Sequence, residues 1–214
     1  MTHTIVDTGE SRSFSAPHAF LQSAAAGGDV LVLIGKGAGK GLAAVEKREN
    51  FKAVLIELGT ECLGVHTGET RGTEGFNVLG FARFRLGDGK PSDLVEIVRQ
   101  PGTTPDAIAA ARQAFESAGL SVAVCNDTPG RIVDRLVRPY YNGALKKLDE
   151  GLATADDLDL TLKLGLGYPE GPIALLERTG LAHHHDVTSA LYEALADPSF
   201  APARRAQVAK RREK

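Results

Sequence analysis

Four groups of side chains have types and spacings that could do chemistry. The first is the run Gly35-Lys-Gly-Ala-Gly-Lys-Gly41. It follows the apolar run Asp29-Val-Leu-Val-Leu-Ile34 and precedes a second apolar run, Ala53-Val-Leu-Ile-Glu57. A glycine loop between a strand and a helix lets bare backbone approach a pyrophosphate at a helix N-terminus, which is the purpose of the G-x-G-x-x-G pattern. Here Lys40 stands where the third glycine belongs, and Gly41 comes one residue late. Glu57 falls about where a ribose-binding acid is expected. A P-loop would need glycine in place of Ile34 and Ser or Thr in place of Gly41. Gly35, Gly37, Gly39 and Glu57 are therefore candidate nucleotide contacts, against the alternative of a flexible turn between two strands.

The second candidate is His66, in the polar loop Val65-His-Thr-Gly-Glu69. It could serve as a general base or be a solvated loop residue. The third is Asp134, a lone acid between Val133 and Leu136 and next to Arg135. It is either a functional carboxylate or a helix-start charge favoured by the helix dipole. The fourth is His183-His184-His185 with Asp186. Helical metal ligands sit at i and i+4, whereas adjacent histidines point to different faces, so no metal is expected.

The elements that must position these groups divide near residue 127. Before it, short β-like runs alternate with helical or glycine-rich stretches: a helix over 17–26, strands over 29–34 and 53–57, and a helix over 42–48 between those strands. A loop over 59–75, strands over 76–81 and 93–99, a helix over 105–118 capped by Thr104, and a strand over 120–125 follow. Strands alternating with helices imply an α/β layer with a mostly parallel sheet. After residue 127 only helical patterns occur. A long helix is expected from a Thr128 cap to Glu150, then helices over 155–164, 172–178 and 182–196. The organisation is a reduced Rossmann-like α/β domain over 1–126, an all-helical domain over 127–200 and a basic tail over 201–214.

The chain has 214 residues, 43% hydrophobic and 24% charged, which excludes a wholly disordered polymer. The net charge is −2, yet residues 201–214 carry +5 and the remainder −7. No aromatic residue follows Phe200 to stack on bases, so the tail reads as a solvated or frayed helix end, and no nucleic-acid partner is expected. Cys62 and Cys125 match no zinc or redox spacing and suit a reducing compartment. No apolar run has the length of a membrane span, and the first residues have no signal-peptide core. A cytoplasmic protein without a membrane partner is the expectation.

The segment Cys125-Asn-Asp-Thr-Pro-Gly-Arg-Ile-Val-Asp-Arg-Leu136 resembles the domain junction of 3-hydroxyacyl-CoA dehydrogenases, DxPGFxxNR. Pro139-Tyr-Tyr-Asn142, Glu150-Gly-Leu-Ala-Thr154 and the stretch Asp157 to Pro172 are similar to that family's helical C-terminal domain, and Leu94-Val-Glu-Ile-Val-Arg99 to its LVEVV segment. The resemblance covers roughly 94–198. It implies NAD-dependent oxidation of a 3-hydroxyacyl-CoA, with a His–Glu pair taking the hydroxyl proton and a Ser and an Asn holding the substrate oxygen. It also implies a homodimer through the helical domain. Carried over, Glu96 matches the Glu, Ala82 in Gly80-Phe-Ala-Arg-Phe-Arg85 takes the His place, Asp134 replaces the Asn, and Gly68 falls at the Ser place. Only about 126 residues precede the junction, too few for two βαβ halves.

The expectation is a relative in acyl-CoA metabolism without the usual His-dependent chemistry, binding an acyl-CoA or related thioester or a protein partner. An active NAD(P)-dependent enzyme is the alternative, with His66 or Asp134 as base, Glu96 orienting it and the glycine loop holding the nucleotide. A non-catalytic dimeric interaction module is the third reading.

Overall fold

The structure is a computed structural model that describes residues 2–69 and 75–213. Residues 70–74, the end of the loop expected over 59–75, lie outside the described residues, as does Lys214 of the basic tail. The chain forms two units, Met1–Arg85 with Pro91–Ile132, and Leu86–Lys90 with Val133–Lys214.

The first unit is built on six strands: β1 His3–Asp7, β2 Val30–Ile34, β3 Ala53–Glu57, β4 Val78–Arg83, β5 Leu94–Arg99 and β6 Ser121–Asn126. They lie in sequence order, and every neighbouring pair is parallel except the antiparallel β4–β5. The sheet is therefore mostly parallel, as its composition implies. β2 and the first four residues of β3 are apolar because both faces are covered. Val30, Val32, Leu55, Phe81 and Ile97 pack with Phe20 and with the alanine face and Phe115 of α4 (Pro105–Glu116). The alternate residues Leu31, Leu33, Val54 and Ile56 pack with Leu42 and Leu63. Thr104 caps α4 by accepting from the Ala107 amide, with Pro105 in the first turn.

The other helices of this unit are single turns or little more: α1 Ala19–Gln22, α2 Ala38–Ala43 and α3 Gly64–Thr67. The helix expected over 17–26 is thus reduced to α1, whose N-cap is the His18 ring accepting from the Phe20 amide. The helix expected over 42–48 begins earlier, inside the glycine run, because Ala38 and Leu42 are the residues that pack. Strand β1 is not among the expected strands. Its mixed sequence carries little signal, and it is held by backbone pairing along β2.

The second unit contains α5 Val133–Asp149, α6 Ala155–Leu166, α7 Pro172–Thr179, α8 Leu181–Leu195 and α9 Arg204–Arg212. The helix expected from Thr128 starts at Val133, since Gly130 and Arg131 take left-handed backbone at φ 74° and 54°. Tyr141, Leu145, Ile173, Leu176 and Ala203 form its core. The Thr154 hydroxyl accepts from the Asp157 amide, the cap expected for α6. The basic segment forms α9, tied down where Arg204 and Arg205 meet Asp149 and Lys210 meets Asp186. No described helix is long and apolar enough to cross a membrane.

Candidate functional site

The glycine run leaves β2 at its carboxyl end, where ligands of open α/β sheets collect. Gly35 has φ +96°, and a Cβ there would collide with the Gly9 carbonyl oxygen, so the turn demands glycine. The first four amides of this run, Gly35 to Ala38, point inward. Gly35 N–H donates to Glu57 Oε2 (2.6 Å), Lys36 N–H to the Glu10 carbonyl (3.1 Å), Gly37 N–H to the Thr8 carbonyl (3.3 Å) and Ala38 N–H to the Gly35 carbonyl (3.0 Å). The other oxygen of the buried Glu57 carboxylate accepts from the Ser13 amide at 2.7 Å.

A phosphate cradle works by offering such amides to the ligand, and a ribose-binding acid by offering its oxygens. The Gly35 to Ala38 amides and the Glu57 oxygens are engaged within the protein, so this part of the loop does not fit a nicotinamide dinucleotide.

Gly35, Gly39, Glu57 and His66 line one crevice of about 230 Å³, together with Glu10, Arg12, Lys36 and Glu61. Gly37 instead caps α2 against Thr8. His66 stands on α3, whose first turn is pinned where Leu63 and Gly64 donate to the two oxygens of Asp127 (2.6 and 2.8 Å). His66 Nε2 lies 3.2 Å from Glu61 Oε1, which also accepts from the Gly59 amide at 3.0 Å. Burial pushes the Glu61 carboxyl up, but the Gly59 amide and the imidazole outweigh it and hold it below the usual range. A Cβ on Gly39 would collide with His66 Nδ1, so this glycine makes room for an imidazole. Cys62, Glu69 and Asp127 bring ligand atoms within 4.8 Å of one another. The Asp127 oxygens are already taken by the α3 amides.

Glu96 does not line this crevice. It is the cross-strand partner of Ala82 in the β4–β5 register, so their side chains stand on the same face at neighbouring positions. Glu96 Oε1 accepts from the Ile132 amide at 2.7 Å, and Oε2 lies 3.7 Å from Arg131 Nε, with both side chains buried. Arg131 donates from Nη2 to the Gly59 carbonyl at 2.7 Å, while its Nε and Nη1 are buried without a hydrogen bond. Burial first, and then the Glu96 charge, push the nearby Cys125 thiol up to about 11.

Asp134 belongs to the helical unit. Its Oδ1 accepts from Arg138 Nε at 2.7 Å, in a buried pair one turn apart. Arg138 Nη1 reaches His184 Nδ1 at 3.1 Å, and His184 Nε2 reaches Asn142 Oδ1 at 3.0 Å. The three histidines diverge: His183 faces Asp88, His184 is buried, and His185 faces Asp186. The sequence patterns single out neither Glu61 nor Arg131. Arg131 carries a signal, since it stands where the junction pattern has Phe; Glu61, five residues before His66, carries none.

Residues 130–212 match the profile of the 3-hydroxyacyl-CoA dehydrogenase C-terminal domain. The mitochondrial hydroxyacyl-coenzyme A dehydrogenase of Sus scrofa is 40% identical over 88 residues, 41% of this chain and 28% of that protein. The 3-hydroxybutyryl-CoA dehydrogenase of Bradyrhizobium diazoefficiens is 34% identical over 110 residues, 51% of this chain and 38% of that protein. The matches thus span about a third of these relatives' length. Among solved structures, the (S)-3-hydroxybutyryl-CoA dehydrogenase of Ralstonia eutropha aligns with TM-score 0.69 and 24% identity, over 85% of this chain and 64% of that one. The 3-hydroxybutyryl-CoA dehydrogenase of Escherichia coli K12 aligns with TM-score 0.71 and 24% identity, over 91% of this chain and 41% of that one. At that identity these structures speak for the fold.

Proposed function

This chain is a relative of the 3-hydroxyacyl-CoA dehydrogenases, its helical unit a match to their C-terminal domain, and from that premise we propose that it binds an acyl-CoA thioester or a protein partner without nicotinamide-dependent dehydrogenase chemistry. One observation carries this reading. Ala82, not an imidazole, stands across from Glu96, and the Glu96 oxygens face an amide and a guanidinium. Arginine stays charged at neutral pH and cannot accept a proton, so Arg131 does not stand in for an imidazole base beside Glu96. The inward-turned amides of Gly35 to Ala38 support the same reading. The free thiols of Cys62 and Cys125 suit a reducing, cytoplasmic setting.

The test has two arms. Purified protein with acetoacetyl-CoA and NADH should show no oxidation of NADH above the buffer rate. An enzyme-like rate that disappears in Glu96→Gln would sink the proposal and restore the altered-enzyme reading. In thermal melts, acetoacetyl-CoA or acetyl-CoA at about 100 times its Kd should add about 2.7 kcal/mol of stability, whereas NAD and NADH should add none. If no thioester shifts the melt, the thioester part fails and the protein-partner part stands.

The partner we assign to the helical unit is a second copy. None of the residues of α6 is buried, and Leu160, Leu164 and Leu166 are exposed, Leu164 to 78%. A helix with leucines on such a surface needs a cover. Leu164→Glu should weaken self-association by about thirtyfold or more, the scale of losing an interface hot spot. Light scattering reads it, and a wild-type monomer at micromolar concentration would overturn it.

A further inference from the structure

We propose that the crevice at the carboxyl ends of β2 and β3 is a proton-transfer site for a small carbonyl compound, with His66 as its base and Glu61 as the residue that positions it. This does not rest on the thioester reading, and either can fail alone.

The imidazole is fixed from several sides. Its helical turn is held by Asp127 through two amides. Its Nε2 faces Glu61 Oε1, and Glu61 is itself held by the Gly59 amide and kept ionised below the usual carboxyl range. Its Nδ1 lies over Gly39, where no side chain intervenes. With Nε2–H donated to Glu61, the lone pair resides on Nδ1, and a proton gained there makes an imidazolium that the Glu61 carboxylate stabilises.

The same crevice is lined by the cations Arg12 and Lys36. Its acids are engaged: Glu57 by the Gly35 and Ser13 amides, Glu10 by Lys36 at 2.6 Å, and Glu61 by His66 and the Gly59 amide. Base and cations in one recess are the two parts that removal of a proton next to a carbonyl needs. The C–H bond breaks and its proton moves to Nδ1. The electron pair forms the Cα–C double bond, and the carbonyl π pair becomes the charge of an enolate oxygen facing Arg12. Return of the proton to carbon completes exchange or isomerisation, with no net oxidation and no cofactor. At about 230 Å³ the crevice is smaller than the ~300–1,000 Å³ of drug-sized sites, which suits a substrate of a few carbon atoms.

The experiment is deuterium exchange in D2O, followed by proton NMR, on pyruvate, 2-oxobutyrate and dihydroxyacetone with the full chain. The expected result is exchange next to the carbonyl of at least one probe about 10²- to 10⁴-fold above buffer. His66→Ala should return it to the buffer rate, with partial rescue by added imidazole. Gly39→Ala should slow it by displacing the ring. Glu61→Gln should slow the turnover of exchange with little change in KM or in Tm, because the ring is no longer held in register; a merely structural role would instead show as a lowered Tm. Buffer-rate exchange of all three probes, or exchange that survives His66→Ala in a protein of wild-type circular dichroism, overturns the proposal.

Discussion

Glu96→Ala is expected to lower the stability of the α/β unit by about 3–5 kcal/mol, the cost of leaving a buried charge without its counter-ion. The Arg131 side chain is 5% exposed and that of Glu96 3%, and the guanidinium has two nitrogens without hydrogen bonds. Removing the carboxylate strips a negative charge from beside a desolvated cation that cannot shed its proton. It also removes the acceptor of the Ile132 amide. In a protein of this size the loss amounts to a fall in Tm of roughly 6–20 °C. Glu96→Gln keeps an acceptor for Ile132 and loses only the charge, so it should fall between wild type and alanine. The double variant Glu96→Gln with Arg131→Met should recover much of the loss, because the pair is then removed together. Urea unfolding of wild type, Glu96→Gln, Arg131→Met and the double variant closes the cycle. If Glu96 served proton transfer alone, Glu96→Ala would move the urea midpoint little, and that result would count against a structural role for the pair.

The same residues mark how far the sequence can be read. The helical unit is legible because its signals are local. The Thr154 cap acts within one turn of chain, and Gly151, Gly167 and Gly180 take positive φ just past the ends of α5, α6 and α7. The sheet is legible wherever a strand is buried on both faces, as in β2 and β3. It is not legible at β1, where Thr4 and Asp7 interrupt the apolar pattern and pairing with β2 does the stabilising. The start of α2 is hidden because glycine is a poor helix former, and only the packing of Ala38 and Leu42 sets it there. Glu57 sits at the spacing of a ribose-binding acid, but spacing does not say which way a carboxylate turns, and the Ser13 amide comes from a loop 44 residues away. The places of Glu96 and Ala82 come from the family resemblance, and the β4–β5 register then sets the two across from each other. Arg131 and Glu61 need tertiary structure, since each acts on a partner brought to it by the fold.

Acidification should destabilise the helical unit through His184, whose side chain is 1% exposed and whose pKa is pushed down to about 3 by burial, with the Arg138 charge adding to it. The hydrogen bonds explain the direction. Arg138 Nη1 can only donate, so His184 Nδ1 must accept, and Nε2–H then donates to Asn142 Oδ1. Asn142 in turn donates from Nδ2 to the carbonyls of Ser199 and Ala201, which ties α5 and α8 to the segment before α9. A second ring proton would set N–H against N–H at Arg138, and His185 adds a further repulsion; the Asp134 carboxylate is engaged with Arg138. The unfolded chain takes up that proton near pH 6.5 and the folded one only near 3. Between those values the unfolded state binds more protons, so stability falls as pH falls, by up to about 1.4 kcal/mol per pH unit. From about pH 7.5 to pH 5 the loss is about 2 kcal/mol from this one group. His184→Gln should lose about 1–3 kcal/mol at about pH 7.5, where the buried donors of Arg138 are less well met. It should also shed this part of the acid sensitivity, so that the two curves of urea midpoint against pH converge towards the acid end. Parallel curves would mean that His184 accepts a proton in the folded state as readily as in the unfolded one. The donor order from Arg138 through His184 to Asn142 would then not be locked.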